Sequence, residues 1–147
     1  MAAAESSELG GLPSVVVHRR VEWHDTDAAG HHHHGAVLRW VESAETVLLE
    51  RRSATELYGR APRVHYEVDY HNRLYYGQIV QIELTVARVG KKSVRYGFKV
   101  CSGDVVAATG NLVMVMASRD SPRAMVLPPD IRLALTSGGS QVPETIG

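Results

Sequence analysis

From Val37 onward the apolar residues recur at Val37, Trp40, Val41, Ala44, Val47 and Leu48, the i, i+3, i+4, i+7 spacing of a single helical stripe. Arg39, Glu42, Ser43, Thr46 and Glu50 fall on the other faces. Gly59 and Pro62 punctuate the end of the stripe, so the pattern predicts a helix of roughly 24 residues, about 36 Å long. The preceding run "VVVHRRVEW" is rich in β-branched residues and reads as a strand. After the helix the period changes to two. Val64, Tyr66, Val68 and Tyr70 alternate with Arg63, His65, Glu67, Asp69 and His71. Ile82, Leu84 and Val86 follow, then Val94, Tyr96, Phe98 and Val100, then Leu112, Met114 and Met116. "VGKKS" and "CSGDV" supply hairpin turns between these runs. The expected order is a strand, one long helix, then a meander of four strands: an α+β fold in which one antiparallel sheet with an apolar face wraps around the helix. "LPPDIRLAL" adds a short terminal helix with Asp130 as its N-cap.

The two ends read differently. Residues 1–14 are small, acidic and rich in Gly and Ser, and residues 136–147 have a similar character, so both are expected to be flexible tails around one domain at 15–135. At 147 residues the chain suits a single domain with a sizeable core. The 16 basic and 16 acidic residues balance, which speaks against a nucleic-acid or membrane-surface binder, since these carry a basic excess. Cys101 is the lone cysteine, so no intrachain disulfide can form. The first residues lack the positive start and apolar core of a signal peptide, and no apolar run approaches a membrane span. A cytoplasmic protein is expected.

The chemistry concentrates in "WHDTDAAGHHHHGAVLRWVESAE", Trp23 to Glu45. Asp25 and Asp27 lie where the first strand ends and the helix approaches. A carboxylate there can serve as nucleophile or as general base on water, or it can simply cap the helix. If the helix begins near His34, the N–H groups of His34 and Gly35 are first-turn donors at the positive end of the helix dipole. They could stabilise a carbonyl oxygen that is becoming an oxyanion. The four consecutive histidines, His31 to His34, do not read as a metal site, because neighbouring side chains diverge in both strand and helix and cannot converge on one ion. His65, Glu67, Asp69 and His71 form a ladder on one strand face, read as an exposed or subunit-facing polar surface. Cys101 reads as structural.

These residues resemble the hotdog-fold acyl-CoA thioesterases of the 4-hydroxybenzoyl-CoA thioesterase and YbgC-like group, whose pattern is D-x-D-x-x-G, a short loop, then a helix opening with a pair such as Arg39-Trp40. The resemblance extends through "VHYEVDYHNRLYYGQIVQIELTVARVGKKSVRYGFKV" into "LPPDIRLAL" and spans about residues 15 to 135. It implies a long central helix inside a curved five-stranded antiparallel sheet, paired into a homodimer or homotetramer with sites at the interface. It implies hydrolysis of an acyl-CoA or acyl-carrier-protein thioester. By position it makes Asp27 the catalytic carboxylate, His34 the helix-start residue with Gly35 beside it, Trp23 an aromatic next to the thioester, and Lys91, Lys92 and Ser93 the hairpin that grips coenzyme A phosphates. No cofactor and no metal is implied. Two departures stand out: where many members have proline after the second strand (Y-x-x-P) this chain reads "YHNRLYYG", and His31 to His33 replace residues that are usually apolar or mixed. A pocket lined by imidazoles would favour aromatic, hydroxylated or polyketide-derived acyl groups over long aliphatic ones. Alternative readings are an enoyl-thioester hydratase or dehydratase that pairs Asp27 with His34, and a non-catalytic acyl-thioester or metal-binding module.

Overall fold

A computed structural model describes residues 11–147. The elements are β1 (Ser14–Arg20), α1 (His34–Arg51), β2 (Arg63–Tyr70), β3 (Ile79–Val89), β4 (Ser93–Ser102), β5 (Val105–Val115), α2 (Pro129–Thr136) and β6 (Glu144–Thr145). One six-stranded sheet takes the order β2-β5-β4-β3-β1-β6. All pairings are antiparallel except the short β1–β6 contact. The expected α+β architecture is present, with one strand more than the five expected. Its connectivity also differs, because only β3, β4 and β5 form a meander. β2 crosses to the far edge and pairs with β5. The segment 71–78 between β2 and β3 therefore spans the sheet rather than turning a hairpin.

The helical stripe is buried as the spacing predicts: Val37, Trp40, Val41, Ala44 and Leu48 are fully covered, and Val47 nearly so. They share one core with the inward residues of the strands, among them Val17, Ile82, Leu84, Tyr96, Leu112 and Met114. β5 approaches β2 and β4 closely at Gly110, where an added Cβ would collide with the Glu67 carbonyl and lie 2.6 Å from the Phe98 ring.

α1 has 18 residues rather than about 24, which makes it about 27 Å long. It stops early because Ser53 adopts a left-handed conformation, φ 55°. The Ala54 N–H then reaches back to the Leu49 carbonyl (2.8 Å) and the Ser53 N–H to that of Glu50 (3.2 Å), the paired bonds that close a helix through a left-handed residue. Glycine usually takes this position, and serine gives no compositional sign of it. A separate 3-10 turn, Thr55–Leu57, follows.

The C-terminal residues do not hang free. Arg51 donates to the Val142 carbonyl (2.7 Å) and to Glu144 (3.0 Å), and Arg52 donates to the Ala134 carbonyl (2.9 Å) and to Ser137 (2.9 Å). These bonds hold the segment expected as a tail, 136–147, against the end of α1 and let β6 join β1. At the other end, the Pro13 carbonyl accepts from the Val86 N–H (2.9 Å). Residues 1–10 of the expected N-terminal tail lie outside the described residues. The N-cap of α2 is Pro128 rather than Asp130, which sits in the first turn. No helix among the described residues is long and apolar enough to cross a membrane.

Because Ser53 bears the cost of a left-handed backbone on an L-residue, Ser53→Gly should stabilise the fold by about 0.5–1 kcal/mol. A urea titration reads this as a raised midpoint at unchanged slope. A lowered midpoint would contradict the account of the helix end.

Candidate active site

Asp25 organises the approach to α1. It is almost fully buried, at 1% exposure. Its Oδ2 accepts the Glu22 N–H (2.8 Å), its Oδ1 accepts from the Arg39 guanidinium (3.2 Å), and its backbone carbonyl accepts the His33 N–H (2.7 Å). One residue thus ties the end of β1, the first turns of α1 and the residue that caps α1. The expectation of chemistry or capping at the two aspartates divides here, because Asp25 has no free oxygen to react with.

Asp27 is placed differently. Its N–H donates to the His31 carbonyl (3.1 Å) and its own carbonyl accepts from Gly30 (3.0 Å). With the Thr26–His32 bridge, this makes a small hairpin closed by Gly30 at φ 88°, a conformation that suits glycine. The Oδ1 of Asp27 accepts the Ala29 N–H (2.8 Å). Its Oδ2 has no hydrogen-bond partner among the described residues, and the side chain lines a cleft of about 330 Å³.

The four histidines take four separate roles. His31 bridges to Tyr75. His32 turns inward at 6% exposure. Its N–H donates to the Leu74 carbonyl (2.7 Å), and its Nδ1 accepts the Leu74 N–H (3.0 Å). That pair fastens the 71–74 segment to the entry of α1. His33 is the N-cap, with Nδ1 accepting the Gly35 N–H (2.9 Å), a role usually filled by Ser, Thr, Asp or Asn. His34 begins α1, and its ring stacks on that of His33 with centroids 4.1 Å apart.

The capping geometry corrects one expectation. The Gly35 N–H is taken by the cap and the Ala36 N–H by the His33 carbonyl (2.9 Å). Gly35 is therefore not a free first-turn donor. The His34 N–H has no acceptor among the described residues, and His34 lines the same cleft as Asp27. From the facing strand, the Tyr70 hydroxyl donates to the His34 carbonyl (2.8 Å) and pins the first residue of the helix. His71, Asn72 and Arg73 complete the wall.

The other expected residues are elsewhere. Trp23 is 76% exposed and stands edge-on to Tyr76 at 5.7 Å, outside the cleft. Lys91 and Ser93 line a second cleft with Arg88 and Arg95, and Lys92 is exposed beside them. Ser102, at the far end of β4, donates to the Ile79 carbonyl (2.7 Å) near the Asp27 end. The β3–β4 hairpin is thus one strand length away, about 30 Å, and a single chain does not bring Lys91, Lys92 and Ser93 to Asp27.

Three features escaped the sequence pattern. Glu45 is buried on α1 and pairs with Arg63, which also reaches Glu42 (3.1 Å). A bulge at Val64, between Arg63 and His65, breaks the alternation of β2, and Arg63 reaches these helix carboxylates. Tyr70 and the 71–73 wall depend on the crossing of β2 to β5, which no local pattern encodes. Glu22, His24 and Asp25 bring ligand atoms within 4.8 Å of one another, but Arg39 already supplies the cation there. His65 and Glu67 lie exposed on β2, as the polar ladder predicts.

A carboxylate with an open oxygen, an unpaired N–H at the positive end of a helix and a cleft between them are the elements of an acyl-transfer site on a helix-and-sheet fold. Residues 21–135 match the thioesterase-like superfamily. The chain belongs to that superfamily and is, by family, a thioester hydrolase. A search of curated protein sequences finds no match. Among solved structures it is similar to a predicted thioesterase from Bacillus stearothermophilus: 27% identity, TM-score 0.76, covering 83% of this chain and 93% of that one. A gentisyl-coenzyme A thioesterase is 25% identical with TM-score 0.72, covering 82% and 98%. A 1,4-dihydroxy-2-naphthoyl-CoA thioesterase from Synechocystis shares the fold at 18% identity and TM-score 0.74, covering 83% and 95%.

Burial holds the His32 pKa below its ordinary 6.5, and the charge of His31 acts in the same direction. In the unfolded chain this imidazole takes up a proton near 6.5, while the folded form resists it. Its contribution to stability is therefore complete above that pH and is lost as pH falls through the lowered folded value. His32→Asn retains an acceptor for the Leu74 N–H but does not titrate. The variant should lose less stability than wild type between about pH 7 and pH 5, measured by urea denaturation. Equal pH slopes would show that His32 is not the acid-sensitive group.

Proposed function

We propose that the protein hydrolyses an acyl-coenzyme A thioester, with Asp27 as nucleophile or general base and the His34 N–H as oxyanion donor. The observation that carries this reading is the shared cleft, in which the open Oδ2 of Asp27 and the start of α1 line one wall. With the substrate carbonyl against the His34 N–H, the dipole of α1 favours the charge that develops on oxygen. Asp27 then attacks the carbonyl carbon, or takes a proton from a water that does. The tetrahedral intermediate collapses with departure of the thiolate, and a thiol of pKa about 8.5 leaves without strong acid assistance. If Asp27 attacks directly, the product is a mixed anhydride that water must open. If it acts as a base, the free acid forms in one addition and collapse.

The substrate's phosphates need a second chain. β2 is one edge of the sheet. Antiparallel pairing of two copies through β2 would set the Ser93 end of each beside the Tyr70 end of the other. That arrangement supports Lys91, Lys92 and Ser93, together with Arg88 and Arg95, as the phosphate grip for the partner's cleft. It also favours a homodimer, or a tetramer of such dimers, as the working form, and coenzyme A over a carrier protein. The hydroxyaromatic acyl groups in the names of two structural neighbours suit a wall of imidazole and phenol side chains. The lone, buried Cys101 suits a reducing compartment such as the cytoplasm.

Thiol release from a panel of aliphatic and aromatic acyl-CoA thioesters tests the reading. Wild type should release thiol, and Asp27→Asn, which keeps the Oδ1 bond to Ala29, should lower kcat/KM by about 10² to 10⁴. A variant that retains most of its activity would remove Asp27 from the mechanism. A change in double-bond absorbance without thiol release would replace hydrolysis with hydration.

A further inference from the structure

Arg73 is an exposed arginine on the wall of the Asp27 cleft, and it has no acidic partner among the described residues. Its backbone is fixed on both sides. The His71 N–H donates to the Ala107 carbonyl (2.7 Å), the Asn72 side chain to the Val106 carbonyl (2.7 Å), and the Leu74 N–H to the buried His32 (3.0 Å). A long cationic side chain therefore projects from an anchored position. Among the described residues Asp27 is the only carboxylate on the wall, and it forms no ion pair with Arg73. The neighbouring carboxylate on β2, Asp69, alternates with Tyr70 and so falls on the opposite face of the strand from the residue that contacts α1. A guanidinium with five donors and no internal acceptor, in a concave site, is a ready partner for a carboxylate.

The geometry points to Arg73 as a specificity-determining residue that binds a carboxylate at the distal end of the acyl group, so that the preferred substrates are mono-thioesters of dicarboxylic acids. This rests on the reading of the cleft as a thioesterase site. The thioester carbonyl lies at Asp27 and the start of α1, and Arg73 holds the far end of the acyl chain from the same wall. The phosphates of coenzyme A offer the same anionic chemistry, but Arg88, Lys91 and Arg95 supply a separate cationic cleft for them. The anchoring of residues 71–74 through His32 means the backbone that carries Arg73 need not be ordered by the substrate, so binding costs the fixing of one side chain and not of the loop.

The test compares two matched substrate pairs: the adipoyl thioester with its terminal-amide analogue, and the 4-carboxybenzoyl thioester with the 4-carbamoylbenzoyl one. Each is made on coenzyme A and on N-acetylcysteamine, which carries no phosphate. Wild type should prefer the carboxylate member of at least one pair by about 10- to 100-fold in kcat/KM, the worth of a charge-assisted hydrogen bond. The preference should persist on N-acetylcysteamine, vanish in Arg73→Gln and return in part in Arg73→Lys. Thermal melting of Arg73→Gln should match wild type, since the side chain is exposed. Thiol release with no carboxylate preference in either pair would overturn the inference and leave the thioesterase reading intact. A loss in Arg73→Gln that is equal across all coenzyme A substrates and absent on N-acetylcysteamine would assign Arg73 to the phosphates and likewise overturn it. No thiol release from any thioester would instead sink the reading on which it rests.

Discussion

The buried carboxylate of Asp25 is the interaction on which the site depends. A charge at 1% exposure is tolerated only when its lone pairs are taken. Here the end of β1, through Glu22, and the first turns of α1, through Arg39, take both oxygens. The backbone carbonyl of the same residue holds the His33 N–H. Strand, cap and helix are thereby fixed relative to one another. The hairpin that carries Asp27 is strung between two of those fixed points, Asp25 and His33. Asp25 builds the frame and Asp27, two residues on, keeps an open oxygen within it.

The histidines extend this division. A run of four like residues suggests one shared function, yet each side chain does something different: one meets Tyr75, one is buried beneath the 71–74 segment, one caps α1 and one starts it. The use of His33 as a cap has a chemical consequence. Its ring nitrogen takes the Gly35 N–H and leaves the His34 N–H as the first-turn donor without an acceptor among the described residues. The cap decides which first-turn N–H is left without a partner among the described residues.

Much of the fold was legible because it is written in periodicity. The stripe from Val37 to Leu48 and the alternation in β3, β4 and β5 bury the residues those patterns name. The identity of the sharp turns at 90–92 and 103–104 followed from Gly, Lys, Ser and Asp between apolar runs. What was not legible has physical causes. The end of α1 rests on a left-handed serine where composition would offer glycine. The course of β2 depends on long-range pairing with β5, and its bulge at Val64 breaks the alternation so that Arg63 reaches two helix carboxylates. The residues 136–147 look like a tail, but at the end of α1 Arg51 finds the Val142 carbonyl there and Arg52 the Ser137 hydroxyl. The motif drew attention to Asp27 and His34, and both line the cleft. The wall formed by Tyr70 and residues 71–73 was not legible, because only the crossing of the sheet brings it to α1.

Thermal midpoints of Asp25→Asn and Asp27→Asn, measured side by side, test whether Asp25 carries the frame of the site while Asp27 does not. Asp25 accepts donors on both oxygens, so an amide there must turn its NH₂ toward either Glu22 or Arg39. The account predicts a loss of about 1–3 kcal/mol and a midpoint lowered by several degrees, while Asp27→Asn melts with wild type. A fall in the Asp27→Asn midpoint with Asp25→Asn unchanged would reverse the two roles and contradict the account.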